Sequence, residues 1–234
     1  MTLDISSYDF LDLGAKEGGS LRMATSAFGG RGLGVDINPD NIEKLKAKGF
    51  AGLLADATEL PLPSDSVSFV QSLHFLEHLP NQAVAEKVID SAVRVARDFV
   101  LVLGPDFGGR DYLKGLGFKK YFADWTGHTW HHTAQQFQTI LEKYSAHRWR
   151  LIQFDPVRDS NSPVILPLSA TPDRHHFEPE SETPKEPVTF KPKLFEHLAF
   201  AIVKSDKYSA EQILYHAMKP RTVAENSPPG VEQA

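Results

Sequence analysis

Short apolar runs alternate with longer amphipathic stretches through the first half of the chain. The run 8–13 (YDFLDL) reads as a strand that ends in a glycine-rich turn. A short helix is expected over 21–27, a strand over 32–37 (GLGVDI), a helix over 41–48 and a third strand over 51–55. A fourth strand is expected over 67–72. Over 82–96 (QAVAEKVIDSAVRVA), Val84, Val88, Ala92 and Val95 recur at helical spacing and mark one apolar face. The run 99–103 (FVLVL) is apolar without alternation, as in a central strand covered on both faces. Gly104 and Pro105 stop it. Strands alternating with helices imply βαβ units and a parallel sheet.

The second half departs from this rhythm. Residues 108–133 are rich in glycine, aromatics and histidine. A helix is expected over 134–144 (AQQFQTILEKY), with Thr133 as its N-cap. Strands are expected over 149–154 and 198–203 (LAFAIV). Between them, 155–193 is dense in proline and charge, and a connection of that length is usually functional or disordered. Its TPDRHHFEPE stretch, with Asp173, His175 and His176, reads as a solvated, mobile loop. The expected organisation is one domain over 1–220, with 106–133 and 155–193 as lid or substrate-cap insertions. A disordered tail is expected over 221–234.

Composition narrows the chemistry. The chain has 234 residues and no cysteine, which removes disulfides, thiolate metal sites and cysteine nucleophiles together. No basic segment leads into an apolar run at the start, and no run approaches the roughly 20 apolar residues of a membrane span. A cytoplasmic location is expected. The formal charge of −5 lacks the basic footprint of a nucleic-acid binder.

The strongest local signal is LDLGAKEGG, from Leu11 to Gly19, between a strand and a helix. Glycine lets the backbone approach a ligand, and a helix N-terminus offers free N–H groups to an anion. The spacing is not G-x-G-x-x-G, so it is a poor dinucleotide fingerprint. Asp12, Gly14 and Gly18 resemble instead the D-x-G-x-G-x-G loop of class I S-adenosylmethionine-dependent methyltransferases. Three further segments resemble that family in the same order. Asp36 ends the second strand in GVDIN. Asp56 lies in LLADATELPLPSDSVSFV. SLHFLEHL, from Ser72 to Leu79, resembles the end of the family's fourth strand.

The resemblance covers roughly residues 8–105 and implies S-adenosylmethionine as cofactor. It implies a Rossmann-like α/β fold: a doubly wound, mostly parallel seven-stranded sheet with an antiparallel last strand and helices on both faces. It places the methionine part of the cofactor on Asp12, Gly14, Ala15, Lys16 and Gly18. Asp36 and Ile37 would take the ribose side, a diol suiting an acceptor-only carboxylate. Asp56 and the Ala57 N–H would read the adenine edge, and Ser72 would close the set. Lys16 departs from the family, which has glycine there; its ammonium is expected to point outward or toward the methionine carboxylate. Read without the resemblance, each motif is also a plausible structural feature of an α/β fold.

The sequence DWTGHTWHHT, from Asp124 to Thr133, is similar to a segment of a bacterial subgroup of methyltransferase type 11-like proteins. It sets Trp125, His128, Trp130, His131 and His132 close together, while His74 and His78 follow the fourth strand. Ligands of open parallel sheets bind beyond the carboxyl ends of the strands. His74, His128 and His131 are the candidate catalytic residues, since imidazole titrates near neutrality and suits a general base. A divalent metal and a purely structural lid are the competing readings of the cluster. No short motif fixes a ligand geometry, so no metal ligand is assigned. His78 reads as structural.

Methyl transfer is an in-line displacement that rests largely on positioning, so a strong catalytic signature is not required. Amino-methyltransferases of adenine, cytosine and glutamine carry D/N/S-P-P-Y/F after the fourth strand, where this chain has Ser72-Leu73-His74-Phe75. Carbon-5 cytosine chemistry needs the absent cysteine. The acceptor expected is a small molecule, sugar or lipid-linked group methylated on oxygen or nitrogen. The rival readings are an inactive methyltransferase-like scaffold and a metal-binding α/β enzyme built on the histidines. The sequence leaves the oligomeric state open.

Overall fold

A computed structural model describes residues 4–178 and 184–218. The expected tail over 221–234 lies outside the described residues. The chain runs β1 (Phe10–Leu13), α1 (Gly19–Phe28), β2 (Gly32–Asp36), α2 (Pro39–Ala47), β3 (Ala51–Leu54), β4 (Val67–Leu73), α3 (Gln82–Val95) and β5 (Ala96–Pro105). It continues through α4 (Arg110–Gly115), β6 (Phe118–Lys120), α5 (Ala134–Glu142), β7 (Arg148–Asp159), β8 (Ile165–Pro167), β9 (Thr189–Val203) and α6 (Ala210–Met218).

Seven strands form one sheet in the order β3-β2-β1-β4-β5-β9-β7. The pairs from β3 to β5 are parallel, and β9 runs antiparallel to both β5 and β7. The doubly wound sheet with an antiparallel last strand is therefore the fold that the first hundred residues implied. Its register is pinned by a row of phenylalanines: Phe10, Phe69 and Phe99 are cross-strand partners. Their rings stack at 4.6 and 4.7 Å, on one face of three adjacent strands.

Each sheet face is sealed by helices. On one side α3 and α5 supply Val88, Ile89, Ala92, Phe137 and Ile140. On the other, α1, α2 and α6 supply Leu21, Ala24, Ile42, Leu45, Ile213 and Leu214. Thr133 caps α5 with a reciprocal box: its side chain accepts the Gln136 N–H, and the Gln136 side chain accepts the Thr133 N–H.

The second half carries elements that patterning did not show. β7 and β9 continue past the sheet, pairing through Pro156–Phe195, Val157–Leu194 and Asp159–Thr189. Above this extension sits a two-stranded sheet of β6 and β8. A third core, including Phe107, Leu113, Phe118, Phe122, Val157, Ile165 and Leu194, joins them. The described part of the TPDRHHFEPE stretch is largely exposed, as expected, and is also tied to the segment before it. The Thr126 N–H and hydroxyl donate to the Asp173 carboxylate, and the Trp125 indole N–H donates to the Arg174 carbonyl at 2.9 Å. His175 packs on Trp125 and His176 on Tyr121, while Asp173, His175 and His176 stay exposed.

Candidate functional site: a two-lobed cleft at the switch point

After β3 the chain crosses back to lay β4 beside β1, so connections leave these neighbouring strands in opposite directions. This is the switch point at which open α/β sheets bind ligands. Gly14 and Phe75 face each other there. Gly14 has φ +68°, and a Cβ on it would lie 2.5 Å from the Phe75 ring. Two lobes open on either side. One is lined by residues including Asp36, Ile37, Asp56, Ala57, Phe75 and His78. The other is lined by residues including Ala15, Lys16, Glu17, Ser20, Asn41 and His74. Gly14 belongs to both.

The turn after β1 is tied down from three directions. The Gly14 and Ala15 N–H groups donate to the Val35 carbonyl, at 2.9 and 3.3 Å. The Lys16 N–H donates to Asp36 Oδ2 at 3.3 Å. These three N–H groups therefore fasten the loop to β2. Gly18, at φ +84°, is the N-cap of α1. Asp12 does not line either lobe. It is buried beneath the loop, accepting from the Ser20 hydroxyl and from Gln71 Nε2, and so joins β1, α1 and β4. Burial pushes its carboxyl up to about 7.

Asp36 accepts the Asn38 N–H on Oδ1 and, on Oδ2, the Lys16 N–H and the Asn41 side-chain amide. A carboxylate offers about four acceptor positions, so one remains. Ile37 beside it is 70% exposed, an apolar side chain left bare at the lobe. Asp56 uses Oδ1 on the Thr58 N–H and hydroxyl. Ser72 Oγ is buried without a partner among the described residues. Lys16 is exposed at φ +43°, and its ammonium makes no ion pair among the described residues.

The histidines separate. His74 lines the Lys16 lobe at φ +52°, its N–H donating to the Leu103 carbonyl at 2.8 Å. Its Nδ1 is 3.5 Å from Glu77 Oε1. His78 lines the Asp36 lobe, and the His128 ring packs edge-on against it at 5.0 Å. His128 and His131 line neither lobe. His131 Nδ1 takes an N–H from Arg110 at 2.7 Å, and its ring lies on Phe107. Burial lowers the pKa of both, with the Arg110 charge adding to the effect on His131. His132 is buried, which pushes it down to about 4 and leaves it neutral. The three candidate bases thus do not converge on one acceptor position.

Sequence reading gave no role to Glu77, although it stands in the quoted LEH. It is 1% exposed. Burial raises its carboxyl, but His74 and His132 beside it bring it below the usual carboxylate range. Nothing in a single sequence marks it, because its importance comes from histidines some 50 residues downstream folding back over it.

Residues 11–99 match the family described as methyltransferase domain. Residues 11–99 are thus a methyltransferase domain, and the sheet around them has the fold of S-adenosylmethionine-dependent methyltransferases. Such domains take the methyl group from S-adenosylmethionine. A methyltransferase from Archaeoglobus fulgidus is 19% identical, with 84% of this chain and 86% of that one covered at a TM-score of 0.57. One from Methanosarcina mazei is 14% identical, with 86% and 94% covered at 0.52. At these identities the likeness concerns the fold. No curated protein matches the chain. Among the described residues, no helix is long and apolar enough to cross a membrane.

The cleft fits the cofactor by its donor set. Asp36 keeps an acceptor position for a ribose hydroxyl, Ile37 offers an apolar face, and Asp56 keeps an oxygen for an amine. The unpaired Lys16 ammonium suits the methionine carboxylate.

Proposed function

We propose that this methyltransferase acts on an oxygen or nitrogen of a small-molecule, sugar or lipid-linked acceptor at the Lys16–His74 lobe. The observation that carries the reading is the pair of lobes meeting at Gly14, one walled by Asp36, Ile37 and Asp56, the other by Lys16 and His74. The adenosine half of the cofactor is assigned to Asp36, Ile37, Asp56 and Ala57, with Ser72 behind Gly14. The methionine half is assigned to Gly14, Ala15, Lys16 and Gly18. Asp12 holds that loop from beneath. When bound, the cofactor supplies an electrophilic methyl group.

The chain's own work is positioning and a single proton. His74 is the residue placed to take it. It lies in the lobe wall, its backbone is pinned by the Leu103 carbonyl, and its Nδ1 stands 3.5 Å from Glu77 Oε1. The segments 106–133 and 155–193 are assigned as the cap through which the acceptor enters.

Calorimetric titration with S-adenosylmethionine and S-adenosylhomocysteine tests the cofactor assignment. Micromolar binding that Asp36→Ala reduces about a hundredfold or more is expected, since a lost charged hydrogen bond costs about 3 kcal/mol. Equal binding by parent and variant would remove Asp36 from the site. Failure of both ligands to bind the parent would favour the scaffold reading.

A further inference from the structure

On the far side of the cleft wall, three side chains face one another. Glu77 and His78 lie in the short turn after β4, and His128 comes from the segment following β6. A carboxylate oxygen of Glu77 and one ring nitrogen of each histidine all lie within 4.8 Å of one another. We propose that Glu77, His78 and His128 bind a divalent transition-metal ion of the zinc class.

Ring orientation is the first argument. His78 Nδ1 is 2.8 Å from the Gly127 carbonyl, and His128 Nδ1 is 2.8 Å from the Phe122 carbonyl. A carbonyl can only accept, so each Nδ1 carries the proton and donates. That leaves the lone pair of both rings on Nε2. Metal-binding histidines are held in this way, with the second ring nitrogen donating to a backbone carbonyl or carboxylate that fixes tautomer and orientation.

The carboxylate is the second argument. Glu77 is 1% exposed, and its Oε2 has no partner among the described residues. A buried carboxylate with a bare oxygen is costly unless a cation or donor meets it. The opposite oxygen has only the 3.5 Å approach of His74. A divalent ion would satisfy the carboxylate and use both imidazole lone pairs at once.

Space is the third. A Cβ on Gly104 would lie 3.4 Å from Glu77 Oε2 and 3.5 Å from His132 Nε2, which is also buried and unpartnered. Glycine there keeps clear the region that the carboxylate faces. Zinc ligands stand about 2 Å from the ion and, in a tetrahedron, about 3.3 Å from one another, so the three side chains would draw together on binding. Two histidines and a glutamate form a set that leaves a coordination position open for water or substrate. His78 also lines the Asp36 lobe, so the ion would stand at the wall of the cofactor cleft.

A second group, Asp155, Glu196 and His197, meets the same distance criterion, but Asp155 is exposed and already accepts from His197 at 2.9 Å. It provides the control. The full chain, stripped with chelator, is titrated with Zn²⁺ by calorimetry and with Co²⁺ by visible absorption. One equivalent is expected, with d–d bands of low-symmetry Co²⁺. His78→Ala and His128→Ala should each weaken binding about tenfold or more and abolish the bands, while His197→Ala leaves both unchanged. Both tested histidines are only partly buried, so the variants should fold, which thermal melts would verify. Absence of stoichiometric binding overturns the site. So does either variant binding like the parent, or loss in His197→Ala alone. Metal binding in a chain that fails to bind S-adenosylmethionine would sustain the ion site and sink the acceptor reading.

Discussion

Lys16 occupies a left-handed backbone position, φ +43°, where glycine would be unstrained. Its N–H holds Asp36, and its side chain extends into solvent at the lobe. The backbone role needs no side chain, and the ammonium has no partner in the described protein to lose. Lys16→Gly should therefore raise stability by up to about 1 kcal/mol, because the strain of a non-glycine residue at positive φ disappears. Cofactor binding should persist, weakened less than about tenfold, as one solvent-exposed charge pair contributes about 1 kcal/mol or less. Thermal melts and the same calorimetric titration measure both. A complete loss of binding would show that the ammonium, rather than the loop backbone, holds the ligand.

At the scale of elements, Asp12 is the knot between β1, α1 and β4, and it carries a pH signature. Its folded pKa of about 7 stands above the usual carboxylate value of 3.8. Between these values the folded chain keeps a proton that the unfolded chain has lost, so the contribution of Asp12 to stability falls as pH rises through the window. His132 works in the opposite sense. Its folded pKa near 4 lies below the usual 6.5, so stability grows as pH rises over that range. Subtracting parent from variant isolates Asp12. Asp12→Asn should gain stability relative to the parent from pH 4 to pH 7, by about 4 kcal/mol at most. Denaturant melts at several pH values would show it, and a difference independent of pH would mean that Asp12 is not protonated in the fold. The same knot explains why the first half was legible. β1, β2, β4 and β5 bury both faces, so they read as apolar runs, and the amphipathic helices between them show their period directly. α4, β6 and β8 escaped because they are short and because their core is assembled from residues as distant as Phe107 and Leu194. α6 went unread too, although its Ile213 and Leu214 seal one face of the sheet.

For the whole molecule, the chain divides its stability between a sheet with two helical layers and a separate core above the β7–β9 extension. The histidine segment joins this separate core through Trp125, and its Thr129 and Trp130 N–H groups donate to the Glu77 carbonyl. Asp173, at φ +61°, receives both the N–H and the hydroxyl of Thr126, while the neighbouring Arg174 carbonyl takes the Trp125 indole. Asp173→Ala leaves the Thr126 N–H and hydroxyl without their acceptor; both are exposed, so water replaces part of what is lost, and the cost should stay near 1 kcal/mol. That energy falls on a local opening rather than on global unfolding, because the seven-stranded sheet keeps every contact. Amide exchange between residues 121 and 133 should therefore quicken about fivefold or more, while exchange in β1, β4 and β5 stays at the parent rate. Hydrogen-exchange mass spectrometry resolves the two regions. Uniform acceleration of both would show that cap and sheet unfold as one unit, and the histidines would then be held by the fold as a whole rather than by a clasp that can open.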